Sequence, residues 1–254
     1  MKSINTKPDL IRKIIQISYS KKEGHIPSSL SILDILYVVY GKLLFNAENR
    51  FVLSKGHASI GYFAILDYFG LLSADINSFC DFDSQLGGHP SSSVHHVECS
   101  TGSLGHGMPF ALGMSLAKKI KNENGKVYVL IGDGESNEGT IWESALLASH
   151  NKLNNLVCIM DHNHSTDRAL VIDNVIDKFK SFGWDCISID GHNIVDIEEA
   201  MMTESDKPIF ILANTIKGKG CKIMENNPEW HHKIPNETEF NLLVKDIEYE
   251  QVQW

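Results

Sequence analysis

The sequence predicts an α/β fold, a doubly wound parallel sheet with helices on both faces. Three observations lead there. At least five short runs rich in β-branched and aromatic residues, at 51–54, 126–131, 156–160, 186–189 and 208–213, alternate with stretches of helical periodicity. Two consecutive runs end in chemistry-bearing turns: Gly132-Asp133-Gly134 follows one and Asp161-His162-Asn163 the next. Asp133 and Asn163 are 30 residues apart, about the length of one βαβ unit. That spacing sets both residues at the carboxyl ends of neighbouring parallel strands, the edge where open α/β sheets bind ligands.

In chain order, residues 9–20 place Leu10, Ile11, Ile14, Ile15 and Ile17 at helical spacing. A breaker-rich turn over 24–31 comes next. Ser31 is positioned to cap a second helix over 32–44, with Asp34 three residues on as an acidic counterpart of the capping box. The strand at 51–54 runs into Lys55-Gly56-His57 and a helix over 58–69. Residues 73–97 read as a loop holding Gly87-Gly88-His89-Pro90, and loops this long inside a domain are usually functional. The motif Ser100-Thr101-Gly102-Ser103-Leu104-Gly105-His106-Gly107 leads into a helix over 109–120. The strand at 126–131, a helix over 138–149 and the strand at 156–160 form the central unit. Its helix carries Trp142, Ala145, Leu146 and Ser149 along one side. Helices over 174–182 and 197–202 alternate with the last two strands, and a short helix over 238–248 closes the chain. No internal repeat or low-complexity tract is seen. We expect one diphosphate-binding domain over 1–254, with 236–254 as a C-terminal helical tail.

Composition narrows the function classes. The 254 residues are 43% apolar, enough for a full core, and the net charge of −9 is spread along the chain. No basic tract suggests nucleic-acid binding, and no apolar run reaches the length of a membrane span. The start is polar and charged, unlike a signal peptide. The cysteines Cys80, Cys99, Cys158, Cys186 and Cys221 lack CxxC spacing and read as reduced, mostly buried thiols of a cytoplasmic protein. An acidic chain that binds an anion is expected to use a metal, histidines and backbone N–H groups.

The paired turns point to a hard metal ion holding a diphosphate. Mg²⁺ takes about six oxygens, some from protein and the rest from phosphate and water. Asp133 offers charge, Asn163 a neutral oxygen, and a nearby carbonyl a third ligand. An isolated Gly-Asp-Gly is also a common turn after a strand; the downstream Asp-x-Asn favours the metal. Of twelve histidines, His25, His57, His89, His106, His192 and His231 or His232 lie in breaker-rich turns. Converging on one edge, they would make a weakly cationic pocket for a phosphorylated or hydroxylated ligand. In the extended run 161–164, Asp161 and Asn163 share one face and His162 and His164 the other, which argues against structural zinc.

These residues together resemble the amino-terminal, thiamine-diphosphate-binding half of a transketolase. The resemblance runs through Gly24-His25 with Leu30-Ser31, the run 51–58 ending Lys55-Gly56-His57-Ala58, Gly88-His89-Pro90 and the 100–105 motif. It continues through Gly132-Asp133-Gly134 to Asn163, Phe182-Gly183-Trp184, Asp190-Gly191-His192, the run 215–220 and Asn226-Asn227-Pro228-Glu229-Trp230-His231. It implies the thiamine-diphosphate-binding (diphosphate domain) form of the fold and a Mg²⁺ ion (or Ca²⁺ or Mn²⁺). Asp133, Asn163 and the main-chain oxygen of Ser165 would ligate the ion. The implied cofactor-binding set is His57, Gly102, Ser103, Leu104, Gly132, Asp133, Gly134, Glu135, Asn163, Ser165 and His231. Gly102 and Leu104 would lie near the aminopyrimidine; His57 and His231 would lie near the diphosphate or substrate. The implied catalytic set is His25, His57, His89 and His231, with His25 and His89 facing the hydroxyls of the donor sugar. Glu138 would be a buried carboxylate near a subunit interface.

A complete transketolase also has a pyrimidine-binding domain that supplies the glutamate acting on the cofactor ring, and this sequence has no such segment. The expectation is therefore a split enzyme. This chain would work only with a separate pyrimidine-domain subunit, as an α₂β₂ heterotetramer, moving a two-carbon ketol unit between small sugars or sugar phosphates. Alternatives are a subunit of another thiamine-diphosphate enzyme, deoxyxylulose-phosphate-synthase-like or 2-oxo-acid dehydrogenase alpha-like, or a non-catalytic assembly subunit. The sequence departs from the family at Pro27, where glycine is usual, at Ser28, where glycine or alanine is usual, at His106, where glutamine is usual, and over 165–169. These changes lie near the substrate mouth and are compatible with an unusual donor or acceptor.

Overall fold

The computed structural model describes residues 6–23, 25–44, 46–167 and 169–249, and the side chains of these up to residue 247. Gly24 and Arg168, both within stretches singled out above, and the end of the expected tail lie outside the described residues. Five parallel strands, β1 (Arg50–Leu53), β2 (Val127–Gly132), β3 (Leu156–His162), β4 (Asp185–Asp190) and β5 (Ile209–Asn214), form one sheet in the order β1-β2-β3-β5-β4. The chain passes from β3 to the edge strand β4 and returns to insert β5 between them. Register brings the strand ends level: Gly132 pairs with Asp161, and Asp161 with Ala213.

The strand runs read as continuously apolar because both faces of the sheet are covered. Successive side chains go to opposite faces. Tyr128, Leu130, Val157, Ile159, Ile209 and Ile211 enter a core shared with α1 (Lys7–Lys21), α2 (Ile26–Leu30), α3 (Leu33–Val38) and α4 (Ser59–Tyr68). Val127, Val129, Ile131, Cys158, Met160 and Phe210 enter the other, under α5 (Gly107–Lys121), α6 (Gly139–His150) and α7 (Val175–Ser181). There the Phe179 and Phe210 rings stack with centroids 3.8 Å apart. Each such buried side chain contributes roughly 1.5–3 kcal/mol. Helix α8 (Ile194–Met202) lies beside α3, and α9 (Glu237–Tyr249) buries Leu243 and Ile247 against α1, with Phe240 stacked on Tyr19 at 4.3 Å.

Several expectations change. The segment 26–30 is helical and carries its proline in the first turn, where proline is tolerated. The helix expected over 32–44 is α3 followed by a π-helical turn, Val39–Leu43. Ser31 does not cap it: its hydroxyl donates to the Ser28 carbonyl and to Asp161. Asp34 is buried and bound to Lys7 and His192 instead of acting in a capping box. Helix α6 buries Ile141, Ser144, Ala145 and Ala148, while Leu146 is 56% exposed. Glu138 is exposed in the single chain, while Asp133 and Glu135 of the same turn are buried. All five cysteines are free, but only Cys158 and Cys221 are buried. The expected loop over 73–97 holds a single 3₁₀ turn, Ile76–Ser78. Buried Ile76, Phe79, Leu86, Val94 and Val97 anchor it to the core. It delivers Gly88 and His89 to the carboxyl edge of the sheet, where Ser59 donates to the Gly88 carbonyl at 2.8 Å.

Candidate functional site

At the carboxyl ends of β1, β2 and β3 the side chains enclose a cavity of about 290 Å³. From the expected set, it is lined by His25, His57, His89, His231, Gly102, Leu104, Gly132, Asp133, Gly134, Glu135, Asn163 and Ser165. Ser103 points outward and is exposed. His106 is exposed beside α5, and the His162 and His164 rings, outside the cavity lining, lie 4.2 Å apart and tilted by 53°. His192 lies beneath the site: Asp34 is 2.8 Å from its Nδ1, and its Nε2 accepts from the Ile216 N–H at 2.8 Å. Those two bonds fix the tautomer with the proton on Nδ1 and tie down the loop that carries Lys217.

The floor of the cavity is built by hydrogen bonds between strand ends. Asp161 is fully buried and accepts from Ser31 at 2.8 Å, from Asn163 Nδ2 at 2.7 Å, and from Lys55 and Thr215. Burial alone would raise its carboxyl, but the Lys55 charge and these donors hold it below the ordinary carboxylate range. With its amide nitrogen committed to Asp161, Asn163 turns Oδ1 toward the cavity. Ser165 N–H then donates to both Asn163 Oδ1, at 3.1 Å, and Asp133 Oδ2, at 2.7 Å. The two oxygens therefore converge on one point. Glu135 accepts from Gly105 N–H at 2.7 Å, Gly132 N–H at 3.0 Å and Ser54, tying the 102–107 loop to the turn after β2. Burial raises the Glu135 carboxyl despite those donors.

The donor set fits a divalent cation. Asp133 is buried, receives N–H bonds from Gly134 and Ser165, and lies beside a second carboxylate, Asp161. Burial and the Asp161 charge raise its pKa. A cation between Asp133 and Asn163 would relieve that uncompensated charge. A diphosphate fits beside it, since Lys217 and Lys55 line the same wall. Lys55 is committed to Asp161 and the Ser28 carbonyl. Lys217 donates to neutral partners, Ser165 Oγ and His231 Nδ1, each at 2.9 Å. Its pKa is pushed down to about 8 by burial and by the Lys55 charge. The expectation of metal, histidines and backbone N–H groups left out two lysines that line the cavity, of which Lys217 is bonded to a hydroxyl and an imidazole. Both stand in motifs quoted above, Lys55-Gly56-His57 and the run 215–220, and a lysine between a strand end and a glycine was the available signal.

Three of the four histidines lining the cavity are held away from the cationic form. Burial, with help from the Lys55 charge, pushes His57 down to about 2. His25 and His231 are likewise lowered, first by burial; at His25 the bond to Glu23 opposes the shift. These imidazoles are neutral near pH 7, able to donate through one nitrogen and accept through the other. That arrangement suits hydroxyl groups.

Comparison with known proteins agrees with this geometry. Residues 9–251 match the family described as transketolase, thiamine diphosphate binding domain. The chain is 33% identical to the A subunit of the apulose-4-phosphate transketolase of Phocaeicola vulgatus, over 93% of this chain and 90% of that protein. It is 35% identical to the 6-deoxy-6-sulfo-D-fructose transketolase subunit SqwG of a Clostridium species, over 89% of each. Against human transketolase it is 34% identical over 94% of this chain, spanning 41% of the human protein. The crystal structure of Campylobacter jejuni transketolase superposes with a TM-score of 0.84 at 28% identity, covering all of this chain and 44% of that one. The chain thus spans less than half of the single-chain transketolases and about nine-tenths of the separate A subunits. It belongs to the transketolase family, as the thiamine-diphosphate-binding domain that forms the amino-terminal half of those enzymes.

Proposed function

We propose that this chain is the thiamine-diphosphate-binding subunit of a two-component transketolase. With a separate pyrimidine-domain subunit, it transfers a two-carbon ketol unit from a ketose donor to an aldose acceptor, both small sugars or sugar phosphates. Residues 1–254 act as one diphosphate-binding domain, and the assembly is an α₂β₂ heterotetramer. The near full-length likeness to named transketolase subunits, two of them A subunits, supports the split arrangement. A cytoplasmic location fits the five free cysteines. Among the described residues no helix is long and apolar enough to cross a membrane.

The observation that carries the reading is the convergence of Asp133 Oδ2 and Asn163 Oδ1 on Ser165. In this reading Asp133, Asn163 and the Ser165 carbonyl hold Mg²⁺. Lys217, His57, His231 and the Gly134 turn receive the diphosphate. Gly102 and Leu104 pack against the aminopyrimidine, with Glu135 bracing both loops. When bound, the cofactor supplies a ring that stabilises negative charge on the carbon of the transferred unit. The chain's own part is binding and orientation. Neutral His25 and the His89 ring hydrogen-bond donor hydroxyls, and neutral His57 and His231 can pass a proton between a hydroxyl and the diphosphate side. The cavity walls keep bulk water from the reacting end. Asp133→Ala is expected to abolish Mg²⁺-dependent thiamine diphosphate binding in calorimetry. Unchanged affinity would refute the assignment.

A further inference from the structure

Outside the cavity, on the far side of His25, lies a second cluster of ligating side chains. Glu23 and His25 lie in the connection between α1 and α2, and His232 follows the 3₁₀ turn Pro228–Trp230, so two segments distant in sequence meet there. Glu23 Oε1 is 3.1 Å from His25 Nδ1 and 3.4 Å from His232 Nε2. One ligand atom from each residue lies within 4.8 Å of the others. The imidazole rings of His25 and His232 are 4.3 Å apart, centroid to centroid, and tilted by 52°. We propose that Glu23, His25 and His232 form a transition-metal site of the kind zinc occupies, separate from the Asp133–Asn163 pair.

The argument is one of donor type and spacing. Tetrahedral zinc with bonds of about 2.0–2.1 Å sets its ligand atoms roughly 3.3–3.5 Å apart, and two of the pairs here already stand near that separation. Two imidazole nitrogens and one carboxylate oxygen, with a fourth position open, are a zinc donor set. Mg²⁺ demands oxygen ligands and would stay at Asp133 and Asn163. The cluster is accessible, since the His232 side chain is about half exposed. The same contacts also suit a proton shared between His25 and Glu23, which a metal would displace. His25 belongs to both places. A metal on its Nδ1 leaves only Nε2 for the cavity, so occupancy fixes the tautomer that a sugar hydroxyl meets.

The test uses the full chain, stripped with chelator, resupplied with excess Mg²⁺ and thiamine diphosphate, and titrated with Co²⁺. The expected result is one equivalent of Co²⁺ with the visible absorption of four- or five-coordinate cobalt, displaced by Zn²⁺. That equivalent should be lost in His232→Gln and in Glu23→Gln and kept in Asp133→Ala, with circular dichroism confirming that each variant is folded. Absence of the bands in the parent protein overturns the proposal. So does full retention in both His232→Gln and Glu23→Gln, or loss in Asp133→Ala.

Discussion

Replacing Lys55 with methionine should show how much the floor of the site depends on one buried ion pair. Lys55 and Asp161 have side-chain exposures of 1% and 0%. Methionine keeps most of the apolar stem and removes the ammonium, leaving Asp161 as a buried carboxylate. Losing one member of a buried pair typically costs about 3–5 kcal/mol, because the remaining charge is stranded. Asp161 retains donors from Ser31, Thr215 and Asn163, so the cost for Lys55→Met belongs at about 3 kcal/mol, the lower end of that range. Asp161→Asn leaves the lysine with the Ser28 carbonyl, 3.1 Å away, and belongs at the upper end, about 5 kcal/mol. At ~2–4 °C per kcal/mol for a domain of this size, Lys55→Met should lower Tm by ~6–12 °C. The double variant strands no charge and should lose ~2 kcal/mol less than the sum of the singles. Urea unfolding of the four proteins completes the cycle. A Lys55→Met protein within ~1 kcal/mol of the parent, or additive singles, would refute the reasoning, since neither is compatible with a pair this deeply buried.

Two further outcomes follow from the same structure. His57, held down to about 2 in the folded chain against 6.5 for a free histidine, stays neutral where the unfolded chain takes a proton. Folding is unaffected by this residue above pH 6.5 and weakens below it by ~1.4 kcal/mol per pH unit toward pH 2. His57→Gln should flatten the decline in urea midpoint between pH 6.5 and 5, and an unchanged slope would count against the buried neutral imidazole. Gly107 opens α5 against β1: a Cβ there would stand 2.6 Å from the Ser54 Cα, a backbone atom. Gly107→Ala should cost ~1–3 kcal/mol by overpacking, read as a lower Tm, whereas an unshifted Tm would mean the helix start can move.

The features legible in residue order were local. Covered strands are runs of β-branched residues, and helices repeat their apolar positions every three to four residues, so all five strands and the βαβ unit joining Gly132-Asp133-Gly134 to Asn163 were legible. That unit also placed Asp133 beside Asn163, because parallel strands joined by one crossover end at the same edge. Element boundaries near the site were less legible. Helix α2 is hidden in a run of proline and serines, and Ser31 looked like a cap because nothing nearby in sequence revealed its shorter hydrogen bond, to a carboxylate. That acceptor, Asp161, is 130 residues away. Tertiary structure alone decided which charges sit in the site. Lys55, just after β1, meets Asp161 near the end of β3 across 106 residues, and His192, just after β4, reaches Asp34 on α3 across 158. Burial then decided protonation. The residue types offered weakly basic histidines, but removal from water makes His25, His57 and His231 neutral, a consequence of desolvation that no spacing along the chain encodes.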